Sequence, residues 1–370
     1  MRKNWLDNLR WVTVVSVLVY HVFYFYNNKG VAGSLGGWDG PQYQDALLYI
    51  LYPWFMMLLF LVAGISARYA LQKQTHREFR HSRTLKLIVP STIGLLVFQW
   101  ITGYYNTLTA EIANQTSIFA TIPEPVRGVA TYLLCCVSGT GPLWFAQDLW
   151  VFSLLLLLLR RIDKNDTLWT KCKGAGTLSI ILAGVLVWLG TKTIIQEPNI
   201  ASIEPVINVY RPISYFIPFL LGYYLFSHDE VIERVVAIRK PVWAVAVVSG
   251  VVLVSTTFGE NYTDPAYLGS VLTNLYAYSA ILGLLALFKV KFDYTGRFAG
   301  YMTRSSFGWY VTHYVIIAAV GFNLKMNTSL PPVAIYSLLM VAVMIGTPLL
   351  YELLRRIPFV RWCVYGIKKR

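Results

Sequence analysis

The feature that most constrains this chain is a series of long apolar segments. Ten windows of about 18 to 25 mainly apolar residues lie along its 370 residues, and as helices each is long enough to cross the ~30 Å hydrocarbon core of a bilayer. Apolar residues make up 56% of the chain and charged residues 14%, a composition that excludes an ordinary soluble domain. The sequence therefore predicts an all-α integral membrane protein, one domain over residues 1–370 with a bundle of ten transmembrane helices. The predicted spans are 8–26, 46–67, 85–105, 141–159, 176–194, 209–227, 241–258, 265–288, 305–324 and 332–354.

The basic residues predict which side of the membrane each connection faces. Cytoplasmic loops collect Lys and Arg, and with the N-terminus inside, 27 of the 32 Lys and Arg residues fall in predicted cytoplasmic segments. The other five are Lys29, Arg127, Lys192, Arg211 and Lys325. Both termini are therefore predicted to be cytoplasmic. The net charge of +14 is then mostly a property of the cytoplasmic surface, where it attracts anionic membrane lipids.

The sequence lacks the common motifs of cofactor and nucleotide sites. It has no phosphate-binding loop and no dinucleotide fingerprint, and its four cysteines lack the spacing of a metal site. No metal or prosthetic group is predicted. Topology and lipid attraction account for the basic charge, so no nucleic-acid partner is predicted either. Nothing in the sequence indicates an oligomeric state.

Two of the five histidines fall inside predicted spans. His21 lies in the outer part of the first span and His313 in the ninth. The other three, which fall in basic connections and are expected to be solvated, are His76, His81 and His228. Ionisable side chains are costly in a membrane and indicate function. A neutral histidine that only links two helices is the alternative.

Spacing favours a functional role for His21. It follows Arg10 by eleven residues, and at about 100° per residue the two share one helix face, roughly 16 Å apart along the axis. Two such side chains suit the two ends of one long substrate, with the arginine at an anionic end and the imidazole at a reactive end. The alternative for Arg10 is an ion pair with Asp7, one turn earlier.

These residues also carry a resemblance. The stretch RWVTVVSVLVYH, with ten residues between Arg10 and His21, resembles the signature of acyltransferase family 3, integral-membrane enzymes that transfer acyl groups to sugars and related acceptors. Two later stretches resemble the family in order, LLFLVAGISARYAL and FRHSRTLKLIVP, although Ala63 precedes Gly64 where the family has serine. Three more stretches are most similar to the subgroup that succinylates periplasmic glucans, namely GPLWFAQDLWVFSLLLLLLRR, YFIPFLLGYYLF and SSFGWYVTHYVII. The likeness covers essentially the whole chain.

The resemblance implies a membrane O-acyltransferase. Its donor would be cytoplasmic acyl-CoA, its acceptor a hydroxyl of an extracytoplasmic carbohydrate or glycan, and its acyl group acetyl, succinyl or similar. His21 would be catalytic, as a general base or as a transient acyl carrier, together with Arg10. Arg80, Arg83 and Lys86 would bind the phosphates of coenzyme A, with positive-inside anchoring as the alternative. The family also implies a multi-pass protein of a bacterial inner or plasma membrane.

Four further residues are candidates for substrate contact or support. His313 would bind the acceptor, orient His21 or only pack. Trp144 and Tyr310 offer donors to a developing oxyanion, with aromatic packing as the alternative. Asp148 is the one carboxylate inside the fourth predicted span, so it needs a polar partner, structural or substrate.

Two stretches of the predicted outer connections are candidates for contact with the acceptor. Glycine-rich, aromatic stretches at 27–44 and 124–142 are expected to face the acceptor, and 125–140 is predicted to be a re-entrant or interfacial helix.

A secondary transporter is the runner-up function, because ten spans and midplane polar residues suit one. No matching pair of interrupted helices in the two halves supports it. A non-enzymatic scaffold would leave the aligned Arg10 and His21 unexplained.

Overall fold

The structure, a computed structural model, describes residues 3–29, 33–193 and 211–367. Across these ranges the regular secondary structure is helical throughout, as predicted. The α-helices are α1 Asn4–Phe25, α2 Ala46–Leu51, α3 Phe55–Leu71, α4 His76–Arg83, α5 Val89–Gly94, α6 Trp100–Asn114, α7 Arg127–Ser138, α8 Trp144–Ile162, α9 Thr167–Cys172, α10 Thr177–Thr193, α11 Pro212–Tyr224, α12 Asp229–Ala237, α13 Arg239–Thr257, α14 Pro265–Leu268, α15 Val271–Lys291, α16 Arg297–Asn327, α17 Pro332–Leu354 and α18 Pro358–Tyr365. Short 3₁₀ turns are Tyr43–Asp45, Phe119–Thr121, Glu124–Val126 and Gly141–Leu143, and π-helical turns are Thr84–Ile88 and Leu95–Gln99.

Eight helical segments in the described ranges are long and apolar enough to cross a membrane. They are Asn4–Phe25, Tyr43–Leu71, His76–Asn114, Gly141–Ile162, Arg239–Thr257, Val271–Lys291, Arg297–Asn327 and Pro332–Leu354. The protein is thus a multi-pass membrane protein. The helices at the fifth and sixth predicted spans are shorter, with 17 residues in α10 and 13 in α11. Residue 194 of the fifth predicted span and residues 209 and 210 of the sixth lie outside the described residues.

Contacts between connections sort them to two ends of the bundle. At one end, called the Lys3 end, the contacts are Lys3–Asp229, Lys173–Glu230, Lys289–Glu233 and Trp5–Asp293. At the other, called the Lys29 end, they are Lys29–Gly259, Tyr49–Glu260, Tyr336–Asp45 and Lys325–Gly37. The connections joined at the Lys3 end are those predicted to be cytoplasmic, and those joined at the Lys29 end are predicted to lie outside. This grouping agrees with the predicted alternation of the connections between the two ends.

The two short helices also run between these ends. In α10 the Trp188 indole donates to Gly269 O at 3.0 Å, at the Lys29 end. Arg211, directly before α11, donates to Thr263 O at 3.1 Å at the same end, and after α11 Ser227 accepts from Trp169 Nε1 at 2.8 Å. Because both helices are shorter than the ~20 residues that usually span a bilayer, the count of ten stays a prediction.

The third predicted span is one long helix with two irregular turns. Pro90 lacks an N–H and cannot complete an α-helical hydrogen bond, and π-helical turns lie on both sides of it, at Thr84–Ile88 and Leu95–Gln99. Ser91 Oγ donates to Leu87 O at 2.7 Å, and Thr92 Oγ1 donates to Ile88 O at 2.7 Å. These hydroxyls add hydrogen bonds within the helix on either side of the proline, as serine and threonine often do in membrane helices.

Two glycines allow a close backbone contact between α3 and α11. A Cβ atom at Gly64 in α3 would lie 2.0 Å from Phe219 O in α11, and one at Gly222 would lie 2.0 Å from Leu61 O. Each glycine therefore lets the other helix's backbone approach its own. Small residues allow this backbone contact between membrane helices.

Replacing Gly64 with alanine is expected to destabilise the protein by about 1–3 kcal/mol, because the added methyl meets rigid backbone. Thermal unfolding of the detergent-purified variant measures this. Gly128→Ala is the matched control, since nothing lies within 4 Å of a Cβ atom at Gly128. Equal stability of the two variants would contradict the packing argument.

One expectation about the connections is wrong. His228 is not solvated but 3% exposed. Its ring stacks on Trp169 at a centroid distance of 4.1 Å, and Arg68 lies over the same indole at 3.9 Å. Burial lowers the pKa of His228, so this histidine is a packing residue of the Lys3 end.

Candidate functional site

A pair of histidines lies where α1 packs against α16. His21 Nδ1 and His313 Nε2 are 3.2 Å apart, and their ring centroids are separated by 5.1 Å. His313 is fully buried and His21 is half-buried. The fold thus joins two residues, 292 positions apart, that the sequence singled out separately.

Backbone carbonyls fix where each imidazole carries its proton, because a carbonyl oxygen only accepts. His21 Nδ1 lies 2.9 Å from Val17 O, and His313 Nδ1 lies 2.7 Å from Tyr310 O. Each neutral ring therefore carries its hydrogen on Nδ1 and a lone pair on Nε2. The lone pair of His313 faces the N–H of His21. Within the part of the chain that the structure describes, both hydrogen-bonding contacts of His21 use Nδ1, so its Nε2 lone pair is left for a reacting group.

Tyrosine rings surround His21. Its imidazole makes edge contacts with Tyr20, Tyr24 and Tyr314 at centroid distances of 5.1, 5.7 and 5.3 Å. The Tyr314 hydroxyl donates to Gly33 O at 3.1 Å, which ties the connection between α1 and α2 to the site from the Lys29 end. These rings limit access of water and so strengthen electrostatic interactions at the imidazole. These rings were not among the predicted site residues, although Tyr20 and Tyr24 lie one position before and three positions after His21 in the sequence.

Polar contacts from other elements hold α16 in place around His313. Gln99 Nε2, in the second π-helical turn, donates to Val311 O at 2.7 Å, and Thr102 Oγ1 donates to Gln99 Oε1 at 3.1 Å. The Tyr310 hydroxyl donates to Pro142 O. Gln99 was not a predicted site residue either, although an amide side chain within an apolar span can indicate function.

A second group of residues lies nearer the Lys3 end and consists of Arg10, Arg83 and Lys86, called the cationic cluster. The charge of Arg10 acts on both Arg83 and Lys86. Arg10 also forms its alternative ion pair, with Nη2 2.8 Å from Asp7 Oδ1. Three cations and one carboxylate leave the group positive and suited to an anion.

The irregular third span shapes this cluster. Arg83 ends α4 and its guanidinium lies 4.9 Å from the Phe79 ring centroid. Lys86 lies within the first π-helical turn, where Thr84 Oγ1 accepts from Trp150 Nε1 at 2.9 Å. Arg80 is exposed, one turn before Arg83. The sequence-predicted donor residues thus lie along one segment, with Arg83 and Lys86 within the electrostatic reach of Arg10.

The family model described as an acyltransferase domain, that of acyltransferase family 3, matches residues 3–352. The chain belongs to this family. No curated protein and no solved structure matches it. The Arg10 and His21 spacing that carried the resemblance therefore sits within a family match over nearly the whole chain.

In this family member, two of the remaining candidates lie in α8. Asp148 is fully buried, and Tyr310 and Tyr215 are among its electrostatic neighbours. Trp144 packs against the rings of Phe60 and Tyr215, at 6.3 and 5.4 Å. The Tyr310 hydroxyl is occupied by its bond to Pro142, so Tyr310 contributes here through its backbone carbonyl.

Neither site of this acyltransferase family member has the composition of a metal centre. Among the described residues, no group of three or more His, Cys, Asp and Glu side chains is placed to hold a metal ion.

The helix predicted over 125–140 is α7. Its backbone packs closely against α6, where a Cβ atom at Gly103 would lie 1.7 Å from Cys135 O. In the outer stretch that begins at Asn27, residues 30–32 lie outside the described ones.

Proposed function

We propose that this protein is a membrane O-acyltransferase that moves an acyl group from cytoplasmic acyl-CoA to a hydroxyl of an extracytoplasmic carbohydrate or glycan. The observation that carries the proposal is His21, whose Nε2 lone pair is available on the same helix that carries Arg10 into the cationic cluster. Family membership supports acyl transfer. The charge of the cluster supports an anionic donor.

The cationic cluster suits the phosphate groups of coenzyme A. Guanidinium groups pair with phosphate through two parallel hydrogen bonds, which favours Arg10 and Arg83, whereas Lys86 supplies a point charge. Exposed Arg80 extends the same surface. Eleven residues of α1 then separate the phosphate end of the donor from His21, roughly 16 Å along the helix axis.

The chemical step uses the free nitrogen of His21. Nε2 takes the proton of the acceptor hydroxyl as that oxygen bonds to the thioester carbonyl carbon. The carbon–sulfur bond then breaks, and the departing thiolate takes the proton from Nε2. Acyl-CoA and an alcohol thus give an ester and free coenzyme A. An acyl-histidine intermediate, formed by attack of the same Nε2 on the thioester, is the other route.

The acceptor is proposed to reach His21 from the Lys29 end. Aromatic rings dominate that side of His21, and aromatic rings stack on the apolar faces of sugars. Acetyl or succinyl is the proposed acyl group, with the glucan-succinylating subgroup as the nearest likeness. The proposed location is a bacterial inner or plasma membrane, with both termini in the cytoplasm.

Purified protein in nanodiscs tests the reaction. We expect it to release free coenzyme A from acetyl-CoA or succinyl-CoA only when a glycan acceptor is present, with equimolar ester on the glycan. Thiol titration measures the coenzyme A, and mass spectrometry measures the ester. A transporter or scaffold would release no coenzyme A, and that result across a panel of acceptors would contradict the proposal.

Replacing Arg83 with glutamine is expected to weaken coenzyme A binding by about 10- to 100-fold, because a charge-assisted hydrogen bond is lost. Arg83→Lys keeps the charge but loses the paired hydrogen bonds of a guanidinium group. Its affinity for coenzyme A is expected to lie between those of Arg83→Gln and the parent protein. Isothermal titration with coenzyme A measures both. Arg239→Gln, which removes a charge from the start of α13, is the matched control and is expected to bind normally. Unchanged affinity of Arg83→Gln would contradict the role in donor binding and favour positive-inside anchoring for Arg83.

A further inference from the structure

We infer that His313 is a positioning residue for His21, holding the His21 imidazole in the tautomer and orientation that acyl transfer requires. The inference rests on the proposed function, since it assigns a partner to the proposed base. His313 lies in α16, whereas His21 lies in α1. His313 contacts His21 through Nε2, and its other ring nitrogen, Nδ1, bonds to Tyr310 O.

The hydrogen bonds of His313 leave it one role toward His21. Its Nδ1–H donates to Tyr310 O at 2.7 Å, within its own helix, so Nε2 carries no proton and accepts. The atom that faces this lone pair is His21 Nδ1, at 3.2 Å. His313 is therefore an acceptor for His21, fixed in its tautomer by the backbone.

The His21 N–H is shared by two acceptors from different helices. Val17 O, one turn earlier in α1, is 2.9 Å away and His313 Nε2 is 3.2 Å away. The carbonyl alone would fix the tautomer. The second acceptor, on α16, also fixes how the ring is rotated relative to the rest of the bundle, and so fixes the direction of Nε2.

The same contact is stronger when His21 carries the proton it has taken from the acceptor hydroxyl. The imidazolium then donates a charge-assisted hydrogen bond to His313, and such bonds are roughly twice as strong as neutral ones. A buried carboxylate in place of His313 would add a charge that must itself be desolvated or paired. A neutral imidazole stabilises the transient cation without that cost.

The surroundings of His313 are rigid, as a positioning role requires. Two residues before it, Val311 O accepts from Gln99 Nε2 at 2.7 Å, and Tyr310 is tied to Pro142 through its hydroxyl. A Cβ atom at Gly308 would lie 2.2 Å from the Tyr351 ring, so α16 also meets α17 closely there. Support of this kind holds a catalytic group in its productive geometry.

Two substitutions at His313 separate positioning from packing. His313→Phe keeps a ring of similar size and removes the acceptor, and we expect kcat to fall by about 10- to 100-fold. The KM for acyl-CoA is expected to change less than about twofold, because the donor's phosphates bind elsewhere. His313→Gln offers a side-chain oxygen near the position of Nε2, and it is expected to recover most of the lost kcat.

A double-mutant cycle tests whether His313 acts through His21. His21→Ala and His21→Ala with His313→Phe are expected to show the same residual transfer rate, because the partner is already absent. Thr312→Ser is the matched control beside His313. It keeps the hydroxyl that donates to Gly308 O at 2.9 Å and is expected to transfer at the parent rate. Circular dichroism and thermal unfolding confirm that each variant is folded.

Each result decides between the claims. Normal kcat in folded His313→Phe overturns the positioning role and leaves the proposed function intact. Equal kcat losses in His313→Phe and His313→Gln also overturn it, because the acceptor then has no effect. Normal transfer by His21→Ala overturns the proposed base, and the inference about His313 with it.

Discussion

Replacing His21 with alanine is expected to reduce acyl transfer by about 10²- to 10⁴-fold, the usual contribution of a positioned general base. The substitution removes the imidazole and its Nε2 lone pair. Val17 and His313 orient this ring through their contacts with Nδ1. Release of coenzyme A from acyl-CoA in the presence of acceptor measures the loss. Coenzyme A binding is expected to be retained, because the cationic cluster is unchanged.

The matched control is His81→Ala. His81 is exposed on α4, close in sequence to the donor residues, and makes no part of the histidine pair. It is expected to transfer at the parent rate. If a folded His21→Ala protein also transferred at that rate, the assignment of His21 as base or acyl carrier would be wrong. Loss of coenzyme A binding together with transfer would instead indicate a damaged fold.

The sequence singled out candidate residues, but it did not indicate which of them would meet in the fold. Helical periodicity places Arg10 and His21 on one face of α1, and the structure carries Arg10 to the cationic cluster and His21 to the histidine pair. Periodicity reports which residues share a face, but it does not report which faces of different helices meet. His313 was therefore a candidate with three open roles.

The residues that the sequence did not single out act through tertiary contacts or through the backbone. Gln99 acts on α16 from a π-helical turn, and no sequence pattern marks where such a turn will form. The Gly64 and Gly222 contact depends on a backbone approach between α3 and α11, which is set by the tertiary fold. Val17 and Tyr310 contribute backbone carbonyls, which every residue has.

The predicted spans were most accurate where apolar character and helix coincide. The sixth window, 209–227, was longer than the helix it contains, because α11 ends at Tyr224 while Leu225 and Phe226 remain buried and apolar. Apolar composition reports the environment of a segment and not its backbone geometry. This limits how far the number of spans follows from hydropathy.

Acyl transfer is expected to proceed across a sealed membrane, with donor and acceptor supplied on opposite sides. Arg10 lies toward the Lys3 end, and a rise of roughly 16 Å carries His21 past the middle of a ~30 Å core. The Tyr314 contact to Gly33 shows that His21 adjoins a connection of the Lys29 end. An acyl-CoA entering from the Lys3 end would present its thioester at His21, and an acceptor from the Lys29 end would have only the remaining depth to cross. Neither substrate then needs to be carried through the bilayer.

Oriented proteoliposomes measure this directly, with the exposed terminus identified by protease cleavage of a C-terminal tag. Transfer is expected when acyl-CoA is on the face that carries the tag and the glycan is on the other, and it is expected to vanish when the two are exchanged. Detergent permeabilisation should restore transfer in the exchanged vesicles, and vesicles of His21→Ala should stay inactive in every arrangement. Transfer only with both substrates on the tag face would contradict the through-membrane arrangement, since His21 would then have to be reached by the acceptor from the Lys3 end, past the cationic cluster.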